Sequence, residues 1–163
     1  MRGKRSYPSK VVIDVNIPAI YLVEDHPGHP YVREHLDNLL SKGAAVYAHS
    51  ITPYRVLWIL TKLWGISKNE AIEAVKSFVE SKDIKYLGLS REWIVRSFEL
   101  SDMLHHDVYD CSYLALALMV KAQAIISTDT DFKRIAPKVG LKYINPVPEH
   151  IIRKFREYPS LNT

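Results

Sequence analysis

The chain has 163 residues, of which 47% are hydrophobic and 25% are charged, and its net charge is +4 at pH 7. This balance is typical of a soluble globular protein and argues against a disordered or fibrous one. The apolar runs are shorter than the roughly 20 residues that span a bilayer, and the N-terminal segment lacks the apolar stretch of a signal peptide. We therefore expect one cytoplasmic domain over residues 1–163, with a core at about 10–147 between a polar arm and a C-terminal helix and tail.

Cysteine usage and glycine patterns exclude several kinds of site. Cys111 is the single cysteine, so an internal disulfide and a multi-cysteine zinc site are both excluded. It lies in the apolar run CSYLALALMV, which predicts a buried small hydrophobe. The sequence contains neither GxxxxGK[ST] nor GxGxxG, and we therefore expect no nucleotide cofactor.

The N-terminal half alternates short apolar strands with helices. A strand over residues 10–13 runs into a helix that Asn16 is predicted to cap. The apolar spacing then predicts an amphipathic helix at 30–41, a strand at 44–48 and, from 52 to 65, an almost wholly apolar helix that should lie deep in the fold.

The C-terminal half continues this alternation. A capping box at Ser67 opens a helix to about 81, and Ser90 starts a helix that fades near 105. A strongly apolar helix follows at 107–120, with strands predicted at 84–87, 124–127 and 142–144. Because the strands are continuous apolar runs, we expect burial on both faces, which indicates a three-layer α/β/α sandwich with a mainly parallel central sheet.

Three aspartates occupy positions where such a sheet places its chemistry. Asp14 and Asp129 follow two buried strands, and Asp110 lies in the first turn of the most apolar helix. Functional groups gather beyond the carboxyl ends of parallel strands, and Mg²⁺ and Mn²⁺ prefer carboxylate oxygens. We therefore predict a divalent-cation site here, and we expect no histidine or cysteine to take part.

Each acidic residue also has a purely structural interpretation. Asp107 and Asp110 could cap a helix, and Asp129 with Asp131 could be turn residues. For Asp107, Asp131 and Asn16 this interpretation is at least as strong as a direct metal role. The coincidence of aspartates at two strand ends and one helix start is what favours a site.

Three segments resemble the acidic motifs of PIN-domain nucleases, which include VapC-type toxins. They are VVIDVN, DVYDCSYLALAL and IISTDTDF, and their order and spacing match the family over about residues 10–147. The resemblance implies a PIN-like fold in which Asp14, Asp110 and Asp129 hold Mg²⁺ or Mn²⁺. It implies Asp131 as an auxiliary metal-binding acid, with Asn16, Thr128 and Asp107 as supporting residues.

The function implied by the resemblance is metal-dependent hydrolysis of RNA phosphodiester bonds. The protein would be an endoribonuclease, and it could be a toxin that a small antitoxin neutralises. Such proteins often form homodimers or larger homo-oligomers, to which three aromatic residues could contribute unless they belong to the core: Tyr31, Trp64 and Trp93. The candidate phosphate contacts, which could equally be solvated surface residues, are Lys62, Lys68, Lys133 and Arg134.

The chain departs from the family pattern at one acid. PIN proteins usually carry a glutamate on the helix after the second strand, but residues 38–69 contain no Asp or Glu. Depending on the register, Arg55, Val56 or Trp58 takes that position. Arg55 could hold a phosphate or be a surface arginine, and Trp58 is more often a core residue. Four acids could compensate only from a different helix: Glu34, Asp37, Glu70 and Glu73.

Three hypotheses follow from these observations. The first is the endoribonuclease, and the second is a catalytically weakened PIN-like domain that binds RNA or a protein partner because the usual second acid is missing. The third is an unrelated α/β regulatory domain, which explains the buried strands but leaves the aspartate positions to chance.

Overall fold

Five parallel strands form the centre of the protein in a computed structural model that describes residues 7–158. They are β1 (Lys10–Ile13), β2 (Ala45–His49), β3 (Ile84–Leu87), β4 (Ala124–Ile126) and β5 (Lys142–Ile144), in the sheet order β3-β2-β1-β4-β5. Every neighbouring pair is parallel, which confirms the predicted sheet. Most of the predicted N-terminal arm and the end of the C-terminal tail lie outside the described residues.

Helices connect the strands and cover the sheet. They are α1 (Asn16–Tyr21), α2 (His29–Ser41), α3 (Thr52–Trp58), α4 (Lys68–Ser81), α5 (Arg91–Leu104), α6 (Val108–Met119), α7 (Asp131–Ile135) and α8 (Glu149–Ile152). A π-helical turn, Ile59–Leu63, extends α3, and short 3-10 helices occur at Pro137–Val139 and Arg153–Glu157. Within residues 7–158, no helix combines the length and apolar character needed to cross a membrane.

The alternation of side chains along β1 separates two layers of core. Val12 belongs to one buried cluster together with Leu100 of α5 and Leu114 of α6. Its neighbours Val11 and Ile13 belong to a second cluster on the other side, with α1 and α2. Successive strand residues point to opposite faces, so these contacts place helices on both sides of the sheet. The predicted three-layer α/β/α sandwich is confirmed.

Burial differs between the centre and the edges of the sheet. The central strands β1 and β4 are buried almost throughout, as the continuous apolar runs predicted. The edge strands β3 and β5 each expose part of their length, so the expectation of burial on both faces is wrong for them. An edge strand has only one neighbour in the sheet, which leaves its outer side open to solvent.

Three polar residues define where the later helices begin. The Ser67 hydroxyl accepts the Glu70 N–H at 3.4 Å, and the Ser90 hydroxyl accepts the Trp93 N–H at 3.2 Å. The Asp107 carboxylate likewise accepts backbone N–H groups in the first turn of α6. Each side chain satisfies a backbone donor that has no partner inside its helix, as the sequence predicted for Ser67 and Ser90.

Asn16 does not cap α1. It is the first helical residue, Val15 precedes it, and no side-chain cap is formed there. Instead, the Asn16 N–H donates to the Asp14 Oδ1 atom at 3.0 Å. The Asp14 carboxylate therefore accepts the first N–H of the helix from two residues earlier, and the predicted cap at Asn16 is wrong.

The helix α3 is not deeply buried, contrary to the prediction. Its inner face packs Val56 and, beyond it, Leu60 against residues of α1 and α4. The outer face carries Arg55 and Trp58, and Trp58 is 45% exposed. An apolar run with no polar stripe does not show which face meets solvent, and here the face that carries Trp58 is largely exposed.

The remaining aromatic candidates belong to the core or its margin. Trp93 is 1% exposed, and its indole N–H donates to the Ser112 carbonyl at 2.7 Å. Tyr31 and Trp64 are half-buried and pack against one core cluster. Trp93 is therefore excluded from an interface. Cys111 is fully buried, as predicted.

Candidate functional site

The carboxyl edge of the sheet brings together the ends of two neighbouring strands. Asp14 directly follows β1, and the segment after β4 carries Ser127 and Asp129. The strands pair in register at Ile13 and Ile126, and the Asp14 N–H continues the ladder by donating to the Ile126 carbonyl at 3.3 Å. This pairing sets Asp14 beside the segment that leads to Asp129.

Asp14 lies at the bottom of this edge and is 3% exposed. Its Oδ2 atom accepts the Ser127 hydroxyl, and its Oδ1 atom accepts the Asn16 N–H. Burial raises the pKa of Asp14 to about 7, an effect that the two hydrogen bonds oppose and the negative charges of Asp129 and Asp110 increase. The three carboxylates therefore lie close enough for their charges to interact.

Ser127 links two of these aspartates and was not predicted from the sequence. It is fully buried, its hydroxyl donates to Asp14, and the same oxygen accepts the Asp129 N–H at 2.9 Å. The sequence indicated Thr128 as the polar support, but this contact belongs to Ser127. Finding it required the order of β1 and β4 in the sheet, which the local pattern of residues does not contain.

Asp129 and Asp131 occupy the start of the next helix. Asp129 is half-buried, and its Oδ1 atom accepts the Asp131 N–H at 2.9 Å. Burial raises the pKa of Asp129, which that hydrogen bond opposes and the charge of Asp131 reinforces. Asp131 itself is exposed at the first position of α7. The turn geometry predicted for this pair is present.

Asp110 faces the same region from the first turn of α6. Its Oδ2 atom lies 2.8 Å from the His106 Nε2 atom. Burial raises the pKa of Asp110, and the hydrogen bond to His106 acts against that shift. One ligand atom each from His106, Asp110 and Asp131 lies within 4.8 Å of the others, a spacing that could hold a cation.

The presence of His106 corrects the expectation that no histidine takes part. The residue lies before α6, in the connection from α5, where His105 adopts a left-handed backbone with φ of 50°. The Ser101 hydroxyl holds this connection by donating to the His106 carbonyl at 2.6 Å. The four-residue spacing from Asp110 was a signal in the sequence, because such spacing brings side chains together at a helix start.

Asp107 acts as the cap of α6. Its Oδ1 atom accepts the N–H groups of Tyr109 and Asp110, at 2.9 and 3.1 Å, while its side chain stays exposed. The structural interpretation that the sequence left open is therefore observed. Through the Asp110 N–H, the cap also orders the turn that carries Asp110.

Arg55 extends from α3 toward the start of α6. Its guanidinium carbon lies 5.3 Å from the Tyr109 ring centroid and 5.4 Å from that of Trp58. Both distances allow cation–π attraction. The guanidinium thus lies beside the residue next to Asp110, on the helix where the family pattern leads one to expect an acid.

The acids that could have compensated are not part of this site. Asp37 accepts the Tyr21 hydroxyl at 2.8 Å and pairs with Lys82 at 3.2 Å. Within residues 7–158, the candidate cation group includes none of Glu34, Asp37, Glu70 and Glu73.

A family model described as "PIN domain" matches residues 11–138. The chain belongs to the PIN-domain family. The match spans all three acidic segments, so the resemblance found in the sequence is confirmed. No significant match is found among curated proteins.

Several solved structures are similar to this PIN-domain chain. One is the VapBC2 complex of Rickettsia felis bound to a promoter DNA fragment, with a TM-score of 0.64, 19% identity and coverage of 83% of this chain and 98% of the other. A toxin–antitoxin complex from Klebsiella pneumoniae has a TM-score of 0.61 and 18% identity, and the match covers 84% of this chain and 98% of the other. The sarcin-ricin-loop-cleaving toxin VapC20 of Mycobacterium tuberculosis has a TM-score of 0.59 and 13% identity, and the match covers 76% of this chain and 92% of the other. These likenesses establish the fold.

The donor set of this PIN-domain site fits a hard divalent cation. Asp14, Asp110 and Asp129 supply carboxylate oxygens, and among the described residues Asp14 and Asp129 lie outside the group whose ligand atoms are within 4.8 Å of one another. Burial raises the pKa of each of the three above its ordinary value, and the charges of neighbouring carboxylates add to the shift. A bound cation would relieve that repulsion and favour the ionised carboxylates. Asp131 could add a further oxygen at the exposed side.

Proposed function

We propose that this chain is a metal-dependent endoribonuclease that hydrolyses RNA phosphodiester bonds in a single PIN-like domain. The observation that carries the proposal is the convergence of Asp14, Asp110 and Asp129 at the carboxyl edge of the sheet, with interacting charges. Membership of the PIN-domain family supports the same function. The cofactor is Mg²⁺ or Mn²⁺, because an all-carboxylate set suits these ions.

The roles of the residues follow from their surroundings. Asp14, Asp110 and Asp129 would hold the ion with Asp131 at its open side, and Ser127 would orient Asp14 through its hydrogen bond. When bound, the ion would polarise the phosphodiester and lower the pKa of a water molecule that attacks phosphorus. The attack forms a new P–O bond while one P–O ester bond breaks, and the departing oxygen takes a proton.

Labelled single-stranded RNA incubated with the purified protein and Mn²⁺ tests the nuclease. We expect cleavage that chelator abolishes and that Asp14→Asn lowers by at least about 100-fold, since metal assistance contributes several kcal/mol to such reactions. Asp83→Asn is the matched control, because Asp83 is exposed and precedes β3 at the opposite edge of the sheet. Cleavage that persists in the Asp14 variant or in chelator would remove the proposal.

A second candidate is a weakened PIN domain that binds RNA without cutting it. The specific observation is the surface of α3, where Arg55 and Trp58 are exposed and no acid is present. A guanidinium pairs with phosphate, and an exposed indole can stack on a base. RNA binding without cleavage, with affinity that falls steeply as salt rises, would favour this function. Affinity that does not weaken with salt would count against it.

A toxin role with a small antitoxin partner is the biological setting we propose. Its support is that similar structures are described as toxin–antitoxin complexes. Induced expression in a bacterial host should then arrest growth, and Asp14→Asn should restore it while Asp83→Asn should not. Normal growth under strong expression of the intact protein would argue against toxicity.

A homodimer is proposed on the basis of an exposed apolar groove of about 200 Å³ beside the site. Its lining includes Ile94 and Phe98 of α5, which are 39% and 61% exposed, together with Leu89 and Val108. Exposed apolar patches of this kind mark interfaces. Light scattering should give a dimer mass that Phe98→Asp reduces to that of a monomer. An unchanged mass would exclude this groove.

A further inference from the structure

Three side chains form a hydrogen-bonded row that leads from the surface to the acidic site. The Arg134 guanidinium lies 3.0 Å from the His106 Nδ1 atom, and the His106 Nε2 atom lies 2.8 Å from the Asp110 Oδ2 atom. The side chains of His106 and Asp110 are 10% and 21% exposed. Arg134 comes from α7, Asp110 from the first turn of α6 and His106 from the connection just before α6, so tertiary contact creates the row.

The donors in this row determine which imidazole nitrogen carries the proton. A guanidinium has five N–H donors and no acceptor, so it can bind Nδ1 only where that nitrogen offers a lone pair. The proton of the neutral ring then lies on Nε2, which faces Asp110. The carboxylate accepts it through Oδ2, and both contacts of the row then have matched donors and acceptors.

We propose that Arg134 and His106 are positioning residues: Arg134 holds His106 as an Nε2–H donor, and His106 fixes the Asp110 carboxylate so that Oδ1 is left for the cation. The inference rests on the proposed function, because it assigns Asp110 to a metal site. It also assigns His106 a role other than that of a ligand, although one of its ring nitrogens lies within 4.8 Å of a carboxylate oxygen of Asp110 and of Asp131.

The alternative role for His106 requires a different proton position. To bind a cation, Nε2 would need its own lone pair, and the proton would move to Nδ1. That proton would then point at the N–H groups of Arg134. Direct ligation therefore breaks both hydrogen bonds of the row, whereas positioning keeps them. Residues that orient metal ligands typically contribute about 10- to 100-fold to metal affinity.

The imidazole proton is measured first, in the metal-free protein. Nitrogen-15 NMR of histidine side chains distinguishes the two tautomers, and the His106 signals are assigned by their absence in His106→Gln. We expect His106 with its proton on Nε2. A proton on Nδ1 would overturn the proposal, and this result does not depend on whether the protein is a nuclease.

Binding of Mn²⁺ alone, followed by electron paramagnetic resonance of the free ion, is measured second. We expect His106→Ala to weaken Mn²⁺ binding by about tenfold. His106→Gln, whose side-chain amide still carries an N–H donor, should stay within about threefold of the unmodified protein by the same reasoning. Equal losses in the two variants would overturn positioning by hydrogen bonding, because only the lost imidazole would then matter.

Variants of Arg134 separate positioning from simple charge. Arg134→Met removes a positive charge near a cation site, so electrostatics alone would tighten Mn²⁺ binding. Positioning predicts weaker binding in this variant and near-normal binding in Arg134→Lys, which keeps a donor. The control is Arg153→Met, since Arg153 is an exposed arginine that pairs with Glu149. Tighter binding in Arg134→Met would overturn the proposal.

Asp110→Asn distinguishes failure of this inference from failure of the proposed function. If this variant loses Mn²⁺ binding while His106→Ala does not, the result supports the metal site at Asp110 and contradicts the positioning role of His106. If Asp110→Asn binds Mn²⁺ normally, Asp110 holds no cation, and both the proposed site and the inference built on it are wrong.

Discussion

The candidate site has two regions that place aspartates in opposite surroundings. The floor, formed by Asp14 and Ser127, is 3% and 0% exposed and lies on the ends of two paired central strands. The rim, formed by His106, Asp110, Asp131 and Arg134, lies on helix starts and a connection, with Asp131 and Arg134 exposed. The buried carboxylate of Asp14 therefore carries a desolvation cost that water largely prevents at the exposed carboxylate of Asp131.

This difference indicates that the two regions contribute differently to the proposed cation site. The floor fixes a carboxylate with two hydrogen bonds in a rigid, dry position, at the cost of keeping it partly protonated without a cation. The rim supplies oxygens that water can reach and a histidine that orients one of them. Variants of the floor should therefore change folding stability as well as metal binding, whereas outer rim variants should change mainly binding.

The largest expected effect is on stability at the floor. The pKa of Asp14 is about 7 in the folded protein against an ordinary 3.8, so between these pH values the folded chain binds more protons than the unfolded chain. The contribution of Asp14 to the stability of the metal-free protein should rise as pH falls from above 7 toward 4, and the raised pKa values of Asp110 and Asp129 act in the same direction. Burial lowers the pKa of three histidines, and their contributions act in the opposite direction below their ordinary value of 6.5: His26, His35 and His49. Asp14→Asn removes the buried charge and should stabilise the metal-free protein at pH 8, by at most about 4 kcal/mol.

Urea denaturation at pH 8 and pH 5 measures this effect. The gain in Asp14→Asn should be small at pH 5, where the folded protein already holds the proton. Asp83→Asn, at the opposite edge of the sheet, should show no such pH dependence. An Asp14 variant that is destabilised equally at both pH values would mean that the ionised Asp14 carboxylate does not destabilise the folded protein.

The next effect concerns Ser127. Ser127→Ala leaves the Asp14 Oδ2 atom and the Asp129 N–H without their shared partner. We expect a loss of about 1–3 kcal/mol in the free energy of unfolding, which is the usual cost of unsatisfied buried polar groups. Ser41→Ala, which removes an exposed hydroxyl on α2, should cost less than about 0.5 kcal/mol. Equal losses in the two variants would show that Ser127 contributes nothing particular.

A smaller effect is expected for the exposed acid of the rim. Asp131→Asn should weaken Mn²⁺ binding by less than about tenfold, whereas Asp14→Asn should weaken it by more than that, since affinity follows the count of charged ligands and their rigidity. Isothermal titration calorimetry with Mn²⁺ compares the two variants directly. A larger loss in Asp131→Asn would move the centre of the site from the floor to the rim.

The smallest effect is expected at Arg55, outside the carboxylates. If Arg55 binds one phosphate, Arg55→Met should lower RNA affinity a few-fold and make the dependence of log K on log salt shallower by roughly 0.7. Fluorescence anisotropy with labelled RNA at several salt concentrations measures both quantities. Arg55→Lys should keep the salt dependence. An unchanged slope in Arg55→Met would show that Arg55 binds no phosphate of the RNA.

Much of the fold could be predicted from local patterns. The strands at β1, β3 and β5 were predicted with their observed bounds, because short apolar runs between turn residues have few alternative structures. The helices from Ser67 and Ser90 began as predicted, since a capping side chain acts on N–H groups two or three residues away. The three principal aspartates were predicted for the same reason, since Asp14 and Asp129 follow strands and Asp110 lies in the first turn of a helix, and their role in a cation site stays a prediction.

Other features depended on contacts between distant segments. Ser127 reaches Asp14 only because β4 pairs with β1, and Arg134 reaches His106 only because α7 packs near the start of α6. The exposure of Trp58 reflects what lies beside α3, which its own composition does not show. The sequence by itself determined the sheet class and the aspartates at its edge, because local patterning and strand direction suffice for both. Only the tertiary structure decided which polar side chains support those aspartates, since hydrogen-bond partners far apart in the chain meet only when the sheet order and helix packing are complete.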